Sequence, residues 1–189
     1  MTVLRQLLAG VRILLVMTLL LGIGYPFVIT LAAQALPMQA NGSLLTSADG
    51  RVVGSALLGQ TFEGPEWFQP RASVSDYSGE TSGGSNLSPA SADQFQARED
   101  RRAKLEQANL DAAGPVPEDA LTASASGLDP HISGAYALWQ VPRVAQARRI
   151  DPAELRTIIA AATEPARLGF LGQDAVNVTR LNFALAGRV

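Results

Sequence analysis

Near the N-terminus the apolar residues neither alternate nor recur at helical spacing; they run together. From Ile13 to Ala33 there are 21 residues without a charge. At about 1.5 Å rise per residue these span roughly 31 Å as a helix, which matches a hydrocarbon core of about 30 Å. The pattern predicts a transmembrane helix over residues 13–36, with 1–12 ahead of it and a single domain over 37–189. Gly22, Gly24 and Pro26 interrupt the apolar run. In a membrane helix such residues allow a close approach to another helix, or a kink, so the three are candidate partner contacts.

A cleaved secretory signal is the competing reading, since Arg5 and Arg12 form a basic leader and Ala33-Gln34-Ala35 resembles a cleavage site. The apolar core exceeds the roughly 7–15 residues of a signal, which favours an uncleaved anchor. Arg5 and Arg12 precede the run and no basic residue follows until Arg51. Positive residues stay inside, so the N-terminus is expected in the cytoplasm and the main domain outside the plasma (inner) membrane.

Beyond Pro37 the pattern changes. Two short apolar runs, Leu44-Leu45 and Val52 to Leu58, flank Asp49-Gly50, a pair that tolerates the positive φ angles of a hairpin turn. Phe62, Trp67 and Phe68 are expected to pack over that hairpin. Residues 73–91 are dominated by Ser, Gly, Thr and Asn and read as a long loop. Ser91, with Gln94 three residues on, opens a charged helix as a capping box, and Gly114-Pro115-Val116-Pro117 is expected to end it. Its charges read as a solvated face.

Residues 118–132 read as a second loop, and Ser133 caps a helix carrying Tyr136, Leu138 and Trp139 that Pro142 must kink or restart. Asp151-Pro152-Ala153-Glu154 is a strong helix start, with Leu155, Ile158, Ile159 and Ala162 on the buried side and an end near Thr163. Residues 176–185 suit a helix capped by Asn177 or an alternating strand, the helix being preferred. The sum is an α+β domain tethered to one membrane helix.

Composition narrows the chemistry. The chain has 189 residues with Lys+Arg 15 and Asp+Glu 17, a net charge of −2. Residues 37–189 alone carry −4, because Arg5 and Arg12 are the charges before them. Nucleic-acid binding is disfavoured, since phosphate contacts need a basic face. Cysteine is absent and His131 is the one histidine. Disulfides, thiolate chemistry and His-based metal clusters are thereby excluded, and no metal ligand set is assigned.

Two stretches invite a functional reading. Ser82-Gly83-Gly84-Ser85-Asn86 could cradle an anion with its backbone amides, but no GxxxxGK[ST] pattern accompanies it and a turn-rich loop contains glycine anyway. Asp129-Pro130-His131, with Ser124, Ser126 and Ser133 nearby, has the residue types of a Ser-His-Asp triad without a GxSxG elbow. It reads better as a rigid turn that contacts a partner, and no catalytic residue is assigned.

The wording of the loops resembles one family, the C chain of the Kdp-type potassium-transporting P-type ATPase of bacteria and archaea. The matching stretches are Gly54 to Phe62, Trp67-Phe68-Gln69-Pro70-Arg71, Ser82 to Pro89, Val116 to Asp119, Thr122 to Ser133, Arg143 to Arg148 and Val176-Asn177-Val178. Departures are Ala125 where the family usually has glycine, Ser88, and Thr179 where an aliphatic residue is common. The resemblance implies a non-catalytic subunit of a high-affinity potassium uptake complex that runs on Mg-ATP. Its partners would be a channel-like potassium-translocating subunit, an ATP-hydrolysing P-type subunit and a small membrane peptide, all within membrane lipid.

The family is described as a catalytic chaperone that raises the ATP affinity of the hydrolysing chain, with Ser82, Gly83, Gly84, Ser85 and Asn86 suggested as a nucleotide loop. The orientation set by Arg5 and Arg12 puts that loop across the membrane from cytoplasmic ATP, so the effect is expected to be indirect. The chain lacks the Asp-Lys-Thr-Gly phosphorylation signature and has one span, so it is not itself the pump. The alternatives are a free-standing anchored binding protein and an anchored hydrolase.

Overall fold

The computed structural model describes residues 2–47 and 49–187. Two compact units divide the chain, Met1–Ser43 and Leu44–Val189.

The first unit is one continuous helix, Thr2–Ala33, long and apolar enough to cross a membrane, followed by a short turn of helix. It is built of α1 (Thr2–Met17), a π-helical segment (Thr18–Gly24) and α2 (Tyr25–Ala33), with α3 at Pro37–Ala40. At 1.5 Å per residue its 32 residues reach about 48 Å. The helix thus begins eleven residues before the expected Ile13 and takes in both arginines. The interruption foreseen at Gly22, Gly24 and Pro26 is the π segment. Gly22 and Gly24 lie within it, Pro26 follows, and the Tyr25 N–H reaches back five residues to the Leu20 carbonyl. Pro26 cannot donate to the ladder, and a widened turn ahead of it absorbs the mismatch.

The second unit is α+β, the class read from the sequence. β1 (Leu44–Thr46) and β2 (Val52–Ser55) form the expected antiparallel hairpin. In its turn the Ser47 N–H donates to Arg51 O at 2.9 Å, and Gly50 takes φ +82°. No helix or strand follows until α4 (Ala92–Ala108), so the long loop is as expected. Then come α5 (Glu118–Leu121), β3 (His131–Ile132), α6 (Gly134–Trp139), α7 (Val141–Arg148), α8 (Pro152–Ala162), β4 (Thr163–Glu164), β5 (Ala175–Asn177) and α9 (Val178–Ala186). The second sheet is antiparallel in the order β3-β5-β4.

The capping residues act as read. Ser91, Ser133, Asp151 and Asn177 each accept a first-turn amide with the side-chain oxygen, from Gln94, Tyr136, Ala153 and Arg180. Pro142 restarts the helix, since α6 ends at Trp139 and α7 begins at Val141. Three expectations need correction. α4 stops at Asn109, not Gly114, because the Asn109 side-chain amide donates to Leu105 O at 2.8 Å and closes the last turn. Residues 118–132 are not all loop: Ala120 and Leu121 enter the core on α5, and β3 pairs with β5. The preferred helix in residues 176–185 is present, starting at Val178 after its Asn177 cap, with Val176 and Asn177 also paired in β5. Phe68 leaves the hairpin and is fully buried in the main core.

That core forms where α6 to α9 meet the sheet. Leu155, Ile158 and Ile159 give α8 an i, i+3, i+4 apolar stripe, met by Leu181 and Leu185 of α9 and by Tyr136, Val144 and Val176. Phe62 and Trp67 do face the hairpin, with ring centroids 6.0 Å apart beside a cavity of about 170 Å³ that Leu45 and Val53 also line. α4 has no buried residue and Phe95 is 60% exposed, in keeping with a solvated face.

Candidate functional site

Segments far apart in sequence converge without forming a sheet. The Ser124 N–H donates to Ala72 O at 2.8 Å, Gly83 N–H to Ser126 O at 2.8 Å, and Gly59 N–H to Leu128 O at 2.7 Å. Hydroxyls add two more ties, Ser73 Oγ to Gly127 O at 2.7 Å and Ser82 Oγ to Ser126 O at 3.0 Å. The result is a platform of loops in which the Ser82 to Asn86 stretch lies against Ser124 to Gly127. The glycines owe their place to this docking. A Cβ on Gly84 would stand 2.8 Å from Ala125 O, and one on Gly127, at φ +70°, 2.8 Å from Gly83 O. Gly83 itself has open space on that side. Its amide, the first a phosphate nest would need, is already given to a carbonyl.

Within the platform each hydroxyl stabilises a turn. Ser124 Oγ accepts from the amides of Gly127 (3.1 Å) and Asp129 (3.4 Å), and Ser126 Oγ from Leu128 (3.1 Å). Ser133 Oγ donates to Asp119 at 2.8 Å while capping α6. Asp129 Oδ1 accepts the His131 amide at 3.0 Å and lies 3.1 Å from His131 Nδ1. His131 Nε2 faces Glu164 on β4 at 3.4 Å, and Arg180 stands 3.9 Å from the same carboxylate. The structure thus brings Asp129, Pro130 and His131 together with the serines. With a carboxylate at each ring nitrogen, the imidazole clamps β3 to β4 rather than activating a serine. Among the described residues no group of three or more His, Cys, Asp or Glu could hold a metal ion. Beside the turn opens a cleft of about 540 Å³, lined by Leu57, Leu58, Arg71, Ser126, Asp129 and His131 among others.

The clamp is coupled to protons. The Asp129 hydrogen bond raises the His131 pKa above its ordinary value, opposed by burial and helped by Glu164. The same bond lowers Asp129 below the usual carboxylate range, again against burial. A raised histidine stabilises the fold fully below its unfolded pKa near 6.5 and loses that contribution as pH climbs through the folded value. The lowered Asp129 contributes above its ordinary 3.8 and is lost as pH falls through the depressed value. Both side chains are about a third exposed, so solvent screening limits each contribution to about 0.5 kcal/mol. The single imidazole signal in a proton NMR titration is expected to titrate above 6.5, and the urea midpoint to fall between pH 6 and 8.5. His131→Gln should flatten that fall; an imidazole pKa below 6.5 would refute the clamp.

Residues that reasoning from the sequence did not single out deliver Arg71 to this platform. The segment 65–69 turns at Pro65 and Glu66 and has no strand partner, so side chains must satisfy its backbone. Asn182 does so in both directions, Oδ1 accepting from Phe68 N at 3.0 Å and Nδ2 donating to Phe68 O at 2.8 Å. Gln140 repeats the pattern at Gln69. Buried Arg143 donates to Pro65 O (2.5 Å), Trp67 O (2.9 Å), Asn109 Oδ1 (2.8 Å) and Gln140 Oε1 (2.7 Å). Arg148 donates to Glu66 O at 2.7 Å and lies 4.2 Å over the Trp67 ring. Burial lowers the Arg143 pKa, yet a guanidinium ringed by oxygen acceptors remains charged. The available signal was Arg143 itself, a charge set between Val141 and Val144 on an apolar stripe.

Comparison with known proteins agrees with the loop wording. The family model for the c chain of the K+-transporting ATPase, KdpC, matches residues 7–187. The chain is similar to the potassium-transporting ATPase KdpC subunit of Sorangium cellulosum, 50% identical over 179 residues, with 93% of this chain and 94% of the other covered. The subunit of the same name in Geobacter sulfurreducens is 46% identical over 185 residues, covering 96% and 97%. That of Kineococcus radiotolerans is 45% identical over 184 residues, covering 96% and 93%.

Proposed function

The chain belongs to the KdpC family, the c chain of the K+-transporting ATPase, and from that premise we propose that it is a non-catalytic, membrane-anchored subunit required for assembly and activity of an ATP-driven potassium uptake complex. One observation carries the reading. Three of the stretches that resemble the family, those holding Gly59, Ser82 to Asn86 and Ser124 to Leu128, are tied into one platform of loops by main-chain hydrogen bonds, while Ser124, Ser126, Asp129 and His131 are used in holding turns. Such a surface presents a fixed shape to a partner. Asp129, Pro130 and His131 lie at its edge beside exposed Leu57 and Leu58.

The partners are a channel-like potassium-translocating subunit, a P-type subunit that hydrolyses Mg-ATP, and a small membrane peptide. Arg5 and Arg12 keep the N-terminus in the cytoplasm and the platform outside the inner membrane. Any effect on ATP affinity then passes through the conformation of the partners. The occupied amide of Gly83 supports this, since the Ser82 to Asn86 loop offers phosphate less than a free nest would. Because the chain has no cysteine, Ser82→Cys provides a single, exposed thiol. A membrane-impermeant maleimide should label it in intact spheroplasts; labelling only after lysis would reverse the orientation.

Assembly is tested in the membrane helix. Side chains at Gly22 and Gly24 would meet their own helix at ordinary distances, 3.8 and 3.5 Å, so Gly22→Leu with Gly24→Leu keeps the helix and its insertion. It should nevertheless abolish copurification with the ATPase from mild detergent, because the small faces are where a partner helix approaches. Stoichiometric copurification of the double variant would reduce the helix to an anchor. Turnover by the isolated chain, or full stability without partners, would favour the hydrolase or the free-standing binding protein.

A further inference from the structure

The turn that joins β4 to β5 carries three large apolar side chains outside the core. Leu168 is 82% exposed, Phe170 74% and Leu171 53%. The turn is tied by its own backbone. Arg167 N–H donates to Leu171 O at 3.0 Å and Leu171 N–H back to Arg167 O at 2.9 Å, while Gly169 N–H donates to Ala166 O at 3.0 Å and Phe170 N–H to Arg167 O at 3.3 Å. At its base the Ala166 amide donates to Asp174 Oδ1 at 2.8 Å. With these amides paired, the tip can enter an apolar medium without stranding them.

The apex is strained. Leu168 holds φ +55° and Gly169 +78°. Left-handed backbone suits glycine or asparagine and is unfavourable for leucine. A turn that only reversed the chain would be better served by asparagine, so the leucine side chain has a use outside the turn.

Charge narrows what covers it. No acidic residue lies between Glu164 and Asp174, and Arg167 is exposed and pairs with no carboxylate among the described residues. In a domain of net charge −4 this is a locally basic apolar tip, a combination that suits an anionic lipid surface. The chain itself supplies the lipid. Its helix Thr2–Ala33 is long and apolar enough to cross a membrane, and residues 34–43 after it extend at most about 36 Å. On either side of the bilayer the domain stays tethered beside headgroups.

We propose that the turn from Arg167 to Gly172 is a second membrane contact, in which Leu168, Phe170 and Leu171 enter the boundary between headgroups and acyl chains and Arg167 lies among lipid phosphates. The inference rests on the membrane anchoring proposed above.

The test measures depth at the tip. Because the chain has no cysteine, Phe170→Cys carries a single nitroxide. The full-length chain is placed in vesicles of phosphatidylcholine with a minor share of phosphatidylglycerol. Electron paramagnetic resonance then compares relaxation by oxygen, which concentrates in lipid, with relaxation by a water-soluble nickel chelate. The label should be open to oxygen and shielded from nickel. Arg167→Gln should lower the inserted-to-free ratio about fivefold, the effect of about 1 kcal/mol for one basic residue near an anionic surface. Leu168→Asn with Leu171→Ser keeps a residue suited to the left-handed apex and should return the label to water. A label open to nickel in the vesicles overturns the proposal. So does shielding that survives the double substitution, or shielding from both reagents that arises only with the partner subunits, which would mark a protein pocket. Anchoring is read separately, by retention on the vesicles through an alkaline wash: a chain that washes off loses both readings, and a retained chain with a wet label loses only that of the tip.

Discussion

Arg143→Leu is expected to unfold the main domain under conditions where the native chain is stable. The substitution keeps side-chain bulk but strips the hydrogen-bond partner from Pro65 O, Trp67 O, Asn109 Oδ1 and Gln140 Oε1 at once. A buried acceptor left unpaired costs about 1–3 kcal/mol. Even with water relieving some of the four, the loss is about 3–5 kcal/mol, a large share of a typical stability of 5–15 kcal/mol. Gln140 would also lose the cation that holds its Oε1, loosening Gln69. Arg148→Leu, at a half-exposed site, should cost less, about 1–2 kcal/mol. Urea unfolding followed by the fluorescence of Trp67 and Trp139 measures both. Equal midpoints for Arg143→Leu and the native chain would mean that the segment 65–69 is held by something other than this network.

Gly127→Val should separate the two loops of the platform. At φ +70° a β-branched residue is strained, and its Cβ would meet Ser75 Oγ at 2.5 Å and Gly83 O at 2.8 Å. Gly84→Val meets the backbone of Ala125, which cannot turn aside as a side chain could. Each is expected to cost about 2–4 kcal/mol locally, by strain and overpacking, and to abolish assembly with the ATPase. Gly83→Ala, with open space and no positive φ, should be nearly silent. The pattern separates two uses of the glycines. If they served to cradle phosphate, Gly83 would matter as much as its neighbour; if they serve loop packing, only Gly84 and Gly127 do. Hydrogen exchange at the Gly83 and Ser124 amides should rise in the two sensitive variants while the helical core stays protected.

What the sequence disclosed and what it hid divide along range. Ser91, Ser133, Asp151 and Asn177 each act on an amide two or three residues away, so their roles were legible in the letters beside them. Pro142 was legible for the same reason. α5 was not, because four residues are too few for a helical period to register and its existence depends on Leu121 being buried elsewhere. β3, β4 and β5 are two or three residues long, too short to alternate, and are strands by virtue of pairing with one another. At the candidate site, Asp129 and His131 could be seen as a local pair, but Glu164 reaches the ring from 33 residues away. The glycine loop could be seen as glycine-rich; which glycines were indispensable depended on Ala125, supplied by a distant turn.

The pairing of Phe68 with Asn182 has a consequence in time. The two residues are 114 positions apart, and Asn177 reaches Ala56 over 121. At a synthesis rate of about 5–20 residues per second, the segment carrying Trp67 and Phe68 waits roughly 6–23 s before the helix that fixes it is made. Through that interval an aromatic strip stands open on a nascent chain whose first helix is already made. Completion of the domain therefore waits until α9 has been synthesised. A chain that lost α9 would leave that strip exposed for good, a ready substrate for quality-control proteolysis.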